Sequence, residues 1–532
     1  MRGVEDLHKN CNRDDHKKWN RRSFLQTLGL GGMGATLMMN GIPMAYGQPT
    51  PLTTALGKAD SGRVLLIVRL QGGNDGLNTI VPIYDYDRYA NARPTLRHDL
   101  ADIYKLSNDF GVPKYLQDSM EPIWEGGCMK VVHGTGYENQ NLSHFTGADN
   151  MSRGTDDELV ETGVYGRYLE SIYPDYLLNL PDAPPAVQIG GVGDIIFNGT
   201  ESNFAFTMAN IRQLEQIASS GNLFDVADIP DCTKGSQLKY VRGVLNTTLK
   251  YSGVIKDAAA SQTNVVAFPE TNLGSALSII SKTIKARMGT CVYMVNLNGF
   301  DTHANQPEAH QELLTNLSES IMAFYRDLEP SGRDRDVLTM TFSEFGRRVH
   351  ENGSSGTDHG KAAPMLLFGP ALNGSGFVGE HPSLTNLDGG NLRHTQDYIN
   401  VYGTVMQEWL CIDPSIINQS IPRPYTPIDL GFSCSSSVTN HDYIIRENFD
   451  HVAIYDQEKV SIRISNNFQD SYKISLYNIL GQHMGILYDD ILEPGQHDIS
   501  ISDQLPQLGT GVYIYNINKS NKNYNKKIII GG

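Results

Sequence analysis

Hydrophobic positions in this chain come as short unbroken runs separated by longer stretches with helical spacing. Arg63–Leu70 (RVLLIVRL), Met129–Gly134 (MKVVHG), Cys291–Leu297 (CVYMVNL), Asp336–Phe342 (DVLTMTF) and Ala363–Gly369 (APMLLFG) are the runs. Continuous apolar runs bounded by polar residues predict strands buried on both faces, as in a parallel sheet. Residues 272–289 carry apolar side chains at helical spacing and stop at Gly289. A second helical pattern runs from Pro307 to Leu328, and 395–410 is a third. Strands alternating with helices predict an α/β domain, its mostly parallel sheet flanked by helices. Ligands of such domains gather at the carboxyl ends of the strands.

The pattern changes after Ser435. Short alternating runs rich in Ile, Val and Tyr are broken by LGQ, EPGQ and LGTG. Period-two alternation with frequent turn residues predicts a small antiparallel β-sandwich. A chain of 532 residues exceeds one ordinary core. The expected organisation is an export signal over 1–47, a linker over 48–62, the α/β domain over 63–435, a linker over 436–450 and the β-sandwich over 451–532.

The first 47 residues read as a targeting segment. Arg21 and Arg22 precede Phe24, Leu25 and an uncharged stretch to Met39, and Ala45 and Gly47 have the spacing of a cleavage site. This is the layout of a secretory signal, too short and glycine-rich for a membrane span. Paired arginines followed by Ser-Phe-Leu resemble the twin-arginine signal, although Asn20 and Gln26 depart from its usual residues. The rest of the chain holds 36 basic against 55 acidic residues, which argues against nucleic acid or anionic membrane as a partner. None of the six cysteines forms a Cys-x-x-Cys pair, so a structural zinc knuckle is not expected.

Candidate chemistry lies at the ends of the predicted strands. Asp75 follows the first, Ser143 and His144 the second, Asp301 and His303 the third, and Ser343 and Glu344 the fourth. Asp358 and His359 are the exception, because they precede a strand. Singly, each has a plain explanation: Asp75 as a turn residue, Asp301 as a helix cap, His359 as a satisfied loop histidine. Together they offer oxygen and nitrogen donors and no thiolate. That set suits two divalent cations such as zinc, manganese or magnesium. Two such ions can clamp the attacking and leaving oxygens of a phosphoryl centre.

The ordered segments QGGNDGLNTIVP, NLSHF, GFDTHANQ and FSEFGRR…GTDHG resemble the ligand series of the alkaline phosphatase superfamily. From Arg63 to Leu410 the chain resembles, more narrowly, a sulfatase-like family of exported bacterial proteins without an established activity. The resemblance implies an alkaline-phosphatase-like fold and two metal sites. Asp75, Asp358 and His359 would hold one ion, and Asp301 and His303 would begin the other, with His394 or, in its place, His381 closing it. It implies Ser143 as the metal-activated nucleophile and His144 as a general acid or a structural histidine. Glu344 would be a ligand or the support of one, and Arg347 a contact to a substrate oxyanion or to Glu344. Gly72, Gly73 and Gly76 would let backbone approach the site closely. No cysteine begins the Cys/Ser-x-Pro-Ser-Arg segment that formylglycine sulfatases need, so their route is not expected. The implied activity is metal-dependent hydrolysis of phosphate or sulfate esters of a small molecule or glycan. A non-catalytic surface protein with a degenerate site is the alternative.

The C-terminal segments ISLYNILGQ, LEPGQHDISISDQLPQLGTGVYIYNI and NKKIII resemble the sorting domain of type IX secretion in Bacteroidetes. That implies passage through the periplasm, and engagement of export machinery, on the way to the cell surface or medium. A carbohydrate-binding sandwich is the alternative, but Tyr at alternate positions suits packing better than a sugar platform.

Overall fold

Each continuous apolar run forms a strand of one nine-stranded sheet. The strands of that sheet are β1 (Val64–Gln71), β2 (Met129–Gly136), β3 (Ala186–Ile189), β4 (Ala205–Met208), β5 (Val292–Asn298), β6 (Val337–Phe342), β7 (Ala363–Phe368) and β8 (Gly376–Val378), of which β3, β4 and β8 are additional to the five runs. Their order is β8-β2-β7-β6-β1-β5-β3-β4, with the short strand Gln396–Asp397 also beside β2. The computed structural model describes residues 62–434 and 450–530, apart from 178, 192, 210–232, 457–458, 467–469, 479–481, 494, 502–507 and 520–521. The expected signal segment lies outside the described residues. The chain separates into two compact units on either side of Ser435.

Within the sheet every ladder is parallel except the two made by β7, which runs antiparallel to β2 and β6. That reversal accounts for Asp358 and His359. The residues before an antiparallel strand reach the same rim as the residues after its parallel neighbours.

The sheet is covered by α1 (His144–Arg153), α2 (Val164–Ile172), α3 (Thr233–Ala260), α4 (Asn272–Lys285), α5 (Gln306–Leu328) and α6 (Tyr398–Thr404). Thr271 caps α4 by accepting from the Gly274 N–H at 3.0 Å. α4 and α5 are joined by a buried ion pair, Lys285 Nζ to Asp327 Oδ2 at 2.7 Å. Trp409 donates its indole N–H to Val64 O at 3.0 Å, and a Cys411–Cys434 disulfide closes the unit. Among the described residues, no helix is long and apolar enough to cross a membrane.

The second unit has two antiparallel sheets. One is β9 (Asp450–Asp456), β10 (Lys459–Asn466) and β13 (Gly495–Ser500). The other is β12 (His483–Leu492), β11 (Asp470–Asn478), β14 (Gly511–Lys519) and β15 (Lys522–Ile530), in that order. Ile462, Ile464 and Ile499 from the first share one core with Tyr472, Ile474, Leu476, Tyr515 and Ile517 from the second. This is the expected sandwich, and Tyr472 and Tyr515 are core residues in it.

Candidate metal-binding site

The site is built where the loops after β1, β5 and β6 meet. Gly72 and Gly73 have φ of +121° and +88°. A Cβ on Gly72 would lie 2.3 Å from Asp301 N, and one on Gly73 2.5 Å from the Phe345 ring. Only glycine therefore allows these loops to touch.

Arg347 locks the junction from within. Its Nε donates to Gly73 O at 2.8 Å and its Nη1 to Thr357 O at 2.8 Å. Nη2 donates to Phe300 O at 2.9 Å, to Asp301 Oδ1 at 2.8 Å and to Gly72 O. The side chain is buried and its donors are engaged, so the expected contact to a substrate oxyanion is not what this arginine makes. Arg347 also faces His359 across a two-residue antiparallel ladder, Gly346–Arg347 against His359–Gly360. The ladder joins two separate sequence segments into one support.

Asp301 stands at the centre of the side-chain cluster. Its Oδ1 lies 3.1 Å from His303 Nε2 and 3.3 Å from His359 Nε2, and its Oδ2 lies 3.4 Å from His144 Nε2. His303 Nε2 and His359 Nε2 are 2.9 Å apart. Two of the imidazoles are held from behind. His359 Nδ1 meets Leu142 O at 2.8 Å, and His144 Nδ1 meets Glu344 Oε1 at 3.0 Å. Both acceptors require a proton on Nδ1, which leaves the Nε2 lone pairs facing Asp301. Glu344 is fully buried and also accepts from Gly72 N at 2.7 Å, so it supports His144 and is not in the ligand position.

The electrostatics keep Asp301 and His359 in ligand form. Burial would raise the Asp301 carboxyl, but the Arg347 guanidinium hydrogen-bonded to it outweighs that and holds the group below its usual range. Burial pushes the His359 imidazolium down, against opposing hydrogen bonds to Leu142 and Asp301.

The donor set fits a metal ion. Around a tetrahedral ion with bonds of about 2.0–2.1 Å, donors stand about 3.3 Å apart. The three imidazole contacts to Asp301 and the His303–His359 contact run from 2.9 to 3.4 Å. His144, Asp301 and His359 each offer a donor atom within 4.8 Å of the others. Imidazole and carboxylate without thiolate suit zinc or manganese.

The remaining expected residues are placed as follows. Asp75 is buried, and its Oδ2 accepts from Arg93 Nη1 at 2.6 Å and from Gln306 Nε2 at 2.5 Å. Burial would raise its pKa, yet the adjacent guanidinium holds it low. This carboxylate is an anchor, and the expected grouping of Asp75 with His359 around one ion is not the arrangement found. Gln306 Oε1 accepts from Thr302 at 3.1 Å and Thr357 at 2.6 Å, so the anchor reaches both loops that carry the cluster. Asp358 stands at the edge, its Oδ1 3.5 Å from His303 Nδ1. Ser143 is the exposed N-cap of α1, and its hydroxyl makes no capping bond. It is flanked by Leu142, which holds His359, and by His144. His394 lies beside Gly136 of β2 and makes no contact with the cluster among the described residues. His381 belongs to an aromatic group with Tyr84, Phe110 and His133. Sequence reasoning missed His144 as a donor to the cluster, and Arg93 and Gln306 altogether. None of the three sits in a spacing that marks such a role.

Two segments match known families. Residues 456–531 match the secretion system C-terminal sorting domain, so the second unit is a sorting domain of type IX secretion. Residues 260–399, which carry Asp301, His303, Glu344, Arg347, Asp358 and His359, match a protein of unknown function (DUF1501). No curated protein matches the sequence. Among solved structures, alkaline phosphatase from the Antarctic bacterium TAB5 is similar at 11% identity over 59% of this chain and 94% of that chain, with a TM-score of 0.24. An alkaline phosphatase superfamily protein from Vibrio parahaemolyticus is similar at 9% identity over 91% and 88%, TM-score 0.28. The lipoteichoic acid synthase LtaP from Listeria monocytogenes is similar at 9% identity over 83% and 90%, TM-score 0.27. At such scores these likenesses carry no argument about activity.

Proposed function

We propose that the first unit is a metal-dependent hydrolase of phosphate or sulfate esters, exported to the cell surface or medium by its sorting domain. One observation carries this reading. His144 Nε2, His359 Nε2 and the Asp301 carboxylate offer donor atoms within 4.8 Å of one another, and Ser143, whose hydroxyl makes no capping bond, directly precedes His144. Asp301 and His359, completed by His144 or by His303, would hold one divalent ion, in place of the two expected from sequence. When bound, such an ion polarises the ester and lowers the pKa of an oxygen nucleophile.

This chain's residues do the rest. Ser143 Oγ forms a bond to phosphorus or sulfur as the bond to the alcohol breaks, and the hydroxyl proton leaves with the alcohol. Water then cleaves the serine ester, releasing phosphate or sulfate and restoring the hydroxyl. The first N–H groups of α1, which have no helical partner, lie next to Ser143 and suit the oxyanion. Glu344 and Leu142 keep two imidazoles in the right tautomer, and Arg347 keeps Asp301 in place.

The test is turnover of 4-nitrophenyl phosphate and 4-nitrophenyl sulfate by the full chain loaded with zinc or manganese. The expected result is hydrolysis that falls at least about 100-fold in both Ser143→Ala and His359→Ala. A metal-loaded protein inert on both esters contradicts the reading.

A further inference from the structure

Three side chains at the rim of this site have no structural work. Phe145 follows His144 directly and is 86% exposed. Gln71 and Asn298 end β1 and β5, are register partners across the parallel ladder, and are exposed. Neither amide hydrogen-bonds to another described residue. An isolated exposed aromatic is ordinary on a protein surface. This one directly follows His144, and the two amides end the strands whose next loops carry Gly72 and Asp301. Gln71 precedes Gly72, whose N–H meets Glu344, the support of His144. Asn298 lies three residues before Asp301.

The course of α1 follows the same rim. At its far end Ser152 donates to Asp194 Oδ1 at 2.7 Å, and Asp194 pairs with Arg69 at 2.8 Å. Arg69 and Gln71 share one face of β1, since alternate residues of a strand point the same way. The first turn of α1 lies over the Glu344–Gly72 contact. The helix therefore spans from the Glu344–Gly72 contact to the Asp194–Arg69 pair, with Phe145 in its first turn.

We propose that Phe145, Gln71 and Asn298 form the subsite for the alcohol half of the ester, and that this half is a sugar ring. Two side-by-side amides offer paired donors and acceptors, which match neighbouring ring hydroxyls. An exposed aromatic face stacks against the C–H face of the same ring. A site that relies on hydrogen bonds to hydroxyls discriminates strongly against alcohols that lack them. The assignment rests on the hydrolase reading for its chemistry, but binding is measurable without turnover.

The experiment has two arms on the metal-loaded full chain. Saturation-transfer NMR measures binding of hexose phosphates and hexose sulfates. Kinetics compare kcat/KM for the best hexose ester with that for methyl phosphate or methyl sulfate. The expected result is transfer to the ring protons, lost in Phe145→Ala, and a hexose-to-methyl preference that drops at least tenfold in Phe145→Ala and in Gln71→Ala/Asn298→Ala. Hexose esters that bind without being cleaved would uphold the subsite and overturn the hydrolase. Turnover of methyl esters with no hexose preference, or a preference unchanged by these substitutions, would overturn the subsite and leave the hydrolase standing. No binding and no turnover would overturn both.

Discussion

His303 Nε2 and His359 Nε2 stand 2.9 Å apart, each within 3.3 Å of the same Asp301 oxygen. A single proton can serve only one of two facing lone pairs. A divalent cation serves both, and the carboxylate with them. Zinc or manganese should therefore raise the thermal midpoint, and saturation to 100 times Kd corresponds to about 2.7 kcal/mol. His359→Ala and Asp301→Asn should remove most of that metal-induced shift while the metal-free melting point changes little. Calorimetric titration and melting with and without a chelator check both statements.

Glu344 acts through His144, and its removal should show first in metal affinity. Supports of this kind are worth about 10–100-fold in affinity. Glu344→Ala should weaken zinc binding by that factor, and Glu344→Gln, which retains an acceptor oxygen, by less. Competition against a chromophoric chelator measures it. Equal affinity in all three proteins would remove Glu344 from this role.

Asp75 and Arg93 form a buried ion pair, with side-chain exposures of 1% and 0%. Removing one member leaves the other charged and unpaired. Asp75→Ala should cost about 3–5 kcal/mol in urea unfolding, whereas Asp75→Leu with Arg93→Met should cost much less. A mild Asp75→Ala phenotype combined with lost metal binding would return Asp75 to the ligand shell.

His133 is buried against Phe110 and Phe377, and burial followed by repulsion from His381 pushes its pKa down to about 3. The unfolded chain takes up this proton below about pH 6.5 and the folded chain does not. Stability is thus complete above that pH and falls as the pH drops toward 3. The loss approaches about 1.4 kcal/mol for each pH unit, per histidine. His133→Phe should flatten the decline between pH 6.5 and 4.5 in urea titrations. A slope identical to that of the unaltered protein would contradict this origin.

Much of the fold is legible in the sequence because β1, β5, β6 and β7 are buried on both faces and so read as unbroken apolar runs. β3 and β4 are four residues each and leave no such mark. The direction of β7 is equally hidden, since an apolar run carries no polarity. That is why Asp358 and His359 look misplaced in sequence and fall on the rim in space. The cluster around Asp301 was legible in GFDTH and GTDHG. The role of Asp75 was not, because its partners Arg93 and Gln306 lie 18 and 231 residues away. His144 shows the same limit: its use depends on Glu344, 200 residues on.

The most direct measurement is an anomalous difference map at the zinc or manganese edge from crystals of the metal-replete full chain. The account predicts a peak bonded to Asp301, to His359 Nε2 and to the Nε2 of His144 or His303, with Ser143 Oγ close by. A map without density there, in which the imidazoles hydrogen-bond to Asp301 alone, would contradict it.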